Sequence, residues 1–296
     1  MPRIYQPLKI KFMNLHNVID QIEKIDPEIG ERLNGRRAAM KSLANIGGKL
    51  AFASVPLALG SLFKKAYSQT ASTQILDVLN FALTLEYLEA EFYNKGLAAS
   101  ALIPAGDDRM AFEVIAKHEN AHVAFLMTTI KALGGTPVPK PTFDFTAGNG
   151  SNAGPFAAVF TNYDLFLAVS QTFEDTGVRA YKGQAGNLIS SNEVLRAALQ
   201  IHSVEARHAA HVREIRSRKP SALVVGMPLP WITLNNSNIA SPLVQPSYNG
   251  EENTVQGGVE IVRINNFEIS REDASEAFDE PLTKEQVLAI VDPFIA

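Results

Sequence analysis

The chain has 296 residues, 46% of them hydrophobic and 20% charged, with a net charge of −4. This composition belongs to a folded globular protein of one large or two ordinary domains, and its slightly acidic balance gives no support for a nucleic-acid partner. Cysteine is absent, which excludes disulfides, Cys-ligated zinc, iron–sulfur clusters and thiol catalysis.

Residues 1–71 read as a leader. Leu15, Val18, Ile19, Ile22 and Ile25 recur at helical spacing until Asn34-Gly35 breaks the pattern. Arg36-Arg37 then precede Ala38-Ala39-Met40-Lys41, and apolar or small residues continue to Phe63, interrupted by Lys49. The uncharged part, Leu50 to Phe63, is fourteen residues. That is short for a membrane span and suits the core of a signal peptide. The segment resembles a twin-arginine export signal, with Ala39 where Phe is usual and Ala66-Tyr67-Ser68 as a candidate cleavage site. The resemblance implies a protein exported already folded, to the periplasm or the cell surface, without a stable membrane span. An uncleaved amphipathic helix is the competing reading.

Residues 72–219 are predicted to form four helices, at about 73–95, 108–133, 162–182 and 191–218. Gly96, Gly134-Gly135, Gly183 and Pro220 are read as their stops, and Ser190 with Glu193 as a capping box opening the fourth. Short links join the first and second helices, and the third and fourth, so each pair should be an antiparallel hairpin. Between the pairs lies a long segment, Thr136–Thr161, rich in Pro, Gly, Thr and Phe. The expected fold is therefore all-α: two hairpins joined by one long crossover, the ferritin-like arrangement. Residues 220–296 are expected to be an extended tail that wraps the bundle or binds a neighbouring copy. Val259–Ile264 looks extended, and a short helix is predicted at Thr283–Val291.

The chemistry is concentrated in Glu119-x-x-His122 and Glu205-x-x-His208. Spacing i, i+3 places both members of each pair on one helix face. With 6 His and 31 acidic residues in 296, about 0.6 such pairs arise by chance. The company they keep is more telling. Glu86 and Glu174 each interrupt an apolar helix. Thr84, Glu86 and Tyr93 recur as Thr172, Glu174 and Tyr181; Ile115, Glu119 and His122 recur as Ile201, Glu205 and His208, all with identical offsets. Two related hairpins thus each supply one lone Glu and one Glu-x-x-His, the ligand set of dinuclear carboxylate bundles. Four carboxylates neutralise two divalent cations, whereas without cations they would be costly to bury. Nitrogen and oxygen ligands without thiolate allow Fe, Mn or Zn, so ligand type alone does not choose among them.

Glu89 competes with Glu86, but the internal repeat sets it opposite Gly177, so it is read as supporting the ligands. Tyr93 and Tyr181 are candidates to hydrogen-bond ligand carboxylates; a purely core role is the alternative. His202, three before Glu205, is read either as a supporting donor or as an ordinary interior histidine. His118 adjoins Glu119 without a repeat partner. Glu91 and Glu113 are expected to pair with Lys95 and Lys117.

The phrases Leu79–Tyr93 and His118–Val123 resemble the ferritin-like domain proteins of bacteria and fungi related to plant desiccation-related proteins. The resemblance implies a ferritin-like bundle and no settled activity. The leading functional expectation is an exported protein with a dinuclear Fe or Mn centre that acts on dioxygen, peroxide or ferrous ion. In it His122 and His208 ligate one metal each, Glu119 and Glu205 bridge, and Glu86 and Glu174 are terminal. The alternative is a stress-related or structural protein whose bundle the metals only staple, with the tail mediating homo-oligomer assembly. An iron-storage cage is the third reading.

Overall fold

The computed structural model describes residues 73–296. The leader, with Arg36-Arg37 and the apolar run to Phe63, lies outside the described residues. Four long helices follow: α1 (Thr73–Ala98), α2 (Asp107–Ala132), α3 (Tyr163–Ala185) and α4 (Asn192–Ser217). None is long and apolar enough to cross a membrane. Helix α1 packs chiefly along α2, and α3 along α4.

The seams of the bundle explain this pairing. In α4 the buried positions Val194, Ala198, Ile201, Glu205, His208, Val212 and Ile215 alternate steps of four and three. In α2, Phe112, Ile115, Glu119, His122 and Leu126 do the same. A three–four alternation keeps one stripe facing neighbouring helices along the whole length. The ionisable pairs therefore sit in the apolar seam. Helices α1 and α3 are buried over most of their circumference, as central helices must be. Phe92 anchors the end of the bundle near the crossover, with ring centroids of Phe145, Phe160, Phe166 and Phe173 at 4.8–5.6 Å. Burying one such side chain is worth about 1.5–3 kcal/mol.

Two predicted helix stops prove to be close-approach sites. Helix α1 runs through Gly96, where an added Cβ would stand 2.4 Å from the Phe166 ring. Helix α3 runs through Gly183, where it would stand 2.0 Å from the Leu282 carbonyl oxygen. Neither glycine has a positive φ; each is there because a neighbour needs the space. The cap of α4 is Ser191 rather than Ser190, its side chain accepting from the Val194 amide. Asn162 caps α3 in the same way, by accepting from Leu165.

The crossover between α2 and α3 folds around Asp144. Its buried carboxylate accepts the amides of Thr146, Gly150 and Asn152, all at 3.0 Å, and the Thr146 hydroxyl at 2.6 Å. The end of the chain is tied to the same segment, since Asp144 N donates to Phe294 O and Ala296 N to Thr142 O.

The tail packs on the outer faces of α3 and α4 through three buried arginines. Arg213 donates to both oxygens of Asp175, at 3.3 and 2.6 Å, and Tyr248 donates to the same carboxylate at 2.7 Å. Arg179 donates to the carbonyls of Ser247, Asn249 and Glu280 and pairs with Glu251 at 2.6 Å. Arg216 donates to Gln171 and to the Leu223 and Asn238 carbonyls. Buried cations need such partners to offset desolvation, and Arg213 Nη1 alone of the buried guanidinium nitrogens is left without one among the described residues. The segment at Val259–Ile264 is less extended than its pattern suggests. A two-residue hairpin, β1 (Val255–Gln256) with β2 (Val259–Glu260), turns at Gly257-Gly258, both at positive φ. A kinked turn then covers Ile261–Asn266, and among the described residues no further strand pairs with β1 or β2. Helix α5 (Arg271–Glu276) and helix α6 (Lys284–Val291) follow, the latter with Thr283 and Gln286 in a capping box.

Candidate metal centre

All four seam carboxylates, Glu86, Glu119, Glu174 and Glu205, are fully buried at the centre of the bundle. His122 and His208 face them. His122 Nδ1 lies 3.2 Å from Glu86 Oε2, 3.1 Å from Glu119 Oε2 and 3.0 Å from Glu205 Oε1. His208 Nδ1 lies 2.9 Å from Glu119 Oε1, 3.3 Å from Glu174 Oε2 and 3.4 Å from Glu205 Oε2. Glu119 and Glu205 thus each present one oxygen to either imidazole. Glu86 faces His122 and Glu174 faces His208. Two four-residue groups result, each with its ligand atoms within 4.8 Å of one another.

Hydrogen bonding does not account for this arrangement. A ring nitrogen carries at most one proton, so it can bond one of three converging oxygens well. Glu119 Oε1, Glu174 Oε2, both oxygens of Glu205 and His208 Nδ1 have no hydrogen-bond partner among the described residues, although all are buried. A cation removes the conflict. Ligand atoms at about 2.1 Å from a metal, at right angles, stand about 3 Å from one another. The observed nitrogen–oxygen distances of 2.9–3.4 Å match the edges of such a polyhedron. The donor set fits two divalent cations.

The electrostatics of the bare side chains agree. Burial, with Glu205 and Glu119 nearby, pushes the Glu86 carboxyl up to about 8 against the pull of His122. Burial likewise holds Glu174 well above the carboxylate range. Glu205 is held low: both imidazoles outweigh its burial. Burial would lower His208, but Glu174, Glu119 and Glu205 raise it to about 12; His122 is raised for the same reason by Glu86, Glu119 and Glu205. Without cations, protons must supply the positive charge that the cluster requires.

The supporting residues divide. The Tyr93 hydroxyl donates to Glu174 Oε1 and the Tyr181 hydroxyl to Glu86 Oε1, each reaching across to the other hairpin. His202 turns away, its Nδ1 2.9 Å from the Val178 carbonyl. Its place is taken by His118, whose Nδ1 lies 3.0 Å from His208 Nε2. That contact fixes the ring that faces Glu119 and Glu174. The repeat comparison passes over His118 because the matching position in the second hairpin is Val204; only its adjacency to Glu119 marks it. Glu91 pairs with Lys95 at 2.8 Å and also with Lys140, and Glu113 pairs with Arg109 at 3.1 Å.

A four-helix bundle with paired carboxylate–imidazole groups at its centre defines a class of helical proteins with an interior site. The model of the ferritin-like domain family matches residues 74–218, which cover all four helices, and this part of the chain is a ferritin-like domain. No curated protein matches the chain.

Proposed function

We propose that the ferritin-like domain holds a dinuclear Fe or Mn centre with oxidase, ferroxidase or peroxide-consuming activity. The observation that carries this reading is the pair of shared carboxylates, Glu119 and Glu205, each offering one oxygen to each half. Glu86 and His122 complete one half, Glu174 and His208 the other. When held by these residues, two such metals would supply a two-electron couple for reducing dioxygen or peroxide, with ferrous ion as electron donor in a ferroxidase. The chain's own residues set the conditions for it. Complete burial of the carboxylates excludes bulk water and strengthens each charge interaction. Tyr93 and Tyr181 occupy one oxygen of each terminal carboxylate and aim the other inward. His118 restrains the His208 ring.

The experiment is to load purified protein with two metals per chain and measure ferrous oxidation and peroxide turnover beside Glu205→Ala. Activity in the wild type alone supports the reading. Equal rates, with both proteins well folded, overturn it. If metal removal lowers the melting temperature while no redox assay responds, the metals staple the bundle and the protein is structural.

Export belongs to the same proposal. It rests on Arg36-Arg37, Met40, Lys41 and the apolar run that follows. Fractionation of cells making the chain and an Arg36→Lys, Arg37→Lys variant tests it: loss of the exported pool in the variant is expected, and equal export refutes it.

A further inference from the structure

Around the centre the two hairpins repeat the lone Glu, the Tyr and the Glu-x-x-His, but not Glu89. In α1 the seam runs Glu86, Glu89, Tyr93; in α3 it runs Glu174, Gly177, Tyr181, with the same steps. Glu89 is 5% exposed, on the same face of α1 as Glu86 and Tyr93. Its carboxylate fills the space that its missing counterpart leaves. An added Cβ on Gly177 would stand 3.3 Å from Glu89 Oε1 and 3.8 Å from Glu205 Cγ. The Glu89 carboxylate thus lies against α3, at the position three residues after Glu174 and beside Glu205. Glu89 is therefore carried on the helix of one half and directed toward the other.

Burying a carboxylate is costly. The carboxylates beside it, Glu205, Glu174, Glu119 and Glu86, add to that cost, and cations in the centre would offset it. Resting on the dinuclear reading above, we propose that Glu89 is a fifth carboxylate of that centre, which serves the half formed by Glu174, Glu205 and His208 and makes the two ion positions unequal. Four carboxylates balance two divalent ions; the fifth adds one negative charge, on the His208 side. That half then favours the ion of higher charge. The oxygens of Glu89 stand outside the two compact ligand groups, so it acts across a gap or closes it by rotating its flexible side chain. Gly177 is the device that permits either.

The test is a Mn²⁺ titration of the full chain, wild type, Glu89→Gln and Gly177→Ala. The wild type is expected to bind two ions with affinities at least about tenfold apart. Glu89→Gln should weaken one of them by at least about tenfold and leave the other unchanged, the size of effect that loss of a supporting group has on metal affinity. Gly177→Ala, which crowds the Glu89 carboxylate, should move the same ion in the same direction. A double-mutant cycle assigns the half: the Glu89→Gln effect should largely disappear in a Glu174→Gln background and persist in a Glu86→Gln background. Melting of each metal-free variant within about 2 °C of the metal-free wild type establishes that the fold is intact. If Glu89→Gln binds both ions as the wild type does, while Glu205→Ala loses them, this inference is overturned and the dinuclear reading stands. If the wild type binds no Mn²⁺, both fall together.

Discussion

Shared and terminal carboxylates should have different signatures when they are removed singly. Glu119 places Oε2 3.1 Å from His122 Nδ1 and Oε1 2.9 Å from His208 Nδ1, so its charge serves both halves. Glu86 approaches His122 alone. Glu119→Gln keeps the side-chain volume, removes the charge and turns an amide group toward one half. A pair of unit charges 4 Å apart is worth on the order of 4 kcal/mol at an effective dielectric of 20. Relief from burying the carboxylate offsets part of that loss. A net loss of about 2 kcal/mol corresponds to roughly a thirtyfold fall in affinity. Both ions of Glu119→Gln should weaken by about that factor, whereas in Glu86→Gln one ion should weaken and the other stay. Equilibrium dialysis against buffered Mn²⁺, with metal per chain by elemental analysis, measures this. Loss of a single ion in Glu119→Gln, or equal loss of both in Glu86→Gln, would refute the two-halves geometry.

Three further outcomes follow from the same structure. Asp175→Ala leaves Arg213 buried without its carboxylate, a change that costs about 3–5 kcal/mol. The melting temperature should fall by about 10 °C, more than for Tyr248→Phe, and a fall no larger than that of the exposed substitution Glu113→Ala would contradict it. Gly183→Ala should destabilise the fold although Ala favours helix by about 1 kcal/mol, because the new methyl meets the Leu282 carbonyl; limited proteolysis should cut earlier near Leu282, and unchanged digestion would count against it. Mn²⁺ affinity should rise as pH goes from 6 to 8. Below about 8 the Glu86 carboxyl holds a proton that the ion must displace, so each such proton contributes up to tenfold per pH unit. By the same linkage Glu86 binds more protons folded than unfolded, so its contribution to the metal-free protein's stability falls as pH rises toward about 8. A pH-independent affinity would show that metal binding displaces no proton from Glu86.

Much of the candidate centre was legible because helical geometry is local. The i, i+3 pairs Glu119–His122 and Glu205–His208 share a face whatever surrounds them, and the internal repeat marked Glu86 and Glu174 as counterparts. The repeat also marked Tyr93 and Tyr181, but not that each would reach the opposite hairpin's carboxylate, since which helix lies across from which is a matter of packing. Periodicity likewise identified four helices and the long crossover. Their ends were less legible: a glycine that stops a helix and one that admits a neighbour's ring or carbonyl are the same residue in the sequence. Gly96 and Gly183 are of the second kind.

Other features were decided by tertiary structure alone. His118 meets His208 from another helix, ninety residues away in the chain. Nothing in their spacing marks Arg179, Arg213 and Arg216 as buried; the tail covers them, and tail carbonyls, Glu251 and the α3 residues Gln171 and Asp175 accept their hydrogen bonds. The internal repeat sets Glu89 opposite Gly177, but only the packed bundle shows the Glu89 carboxylate lying against that glycine. The sequence alone therefore determined which residue types share a helix face, because backbone geometry imposes that over a few residues. Which faces meet, and what fills the space between them, depends on contacts between distant segments, and only the assembled bundle decided it.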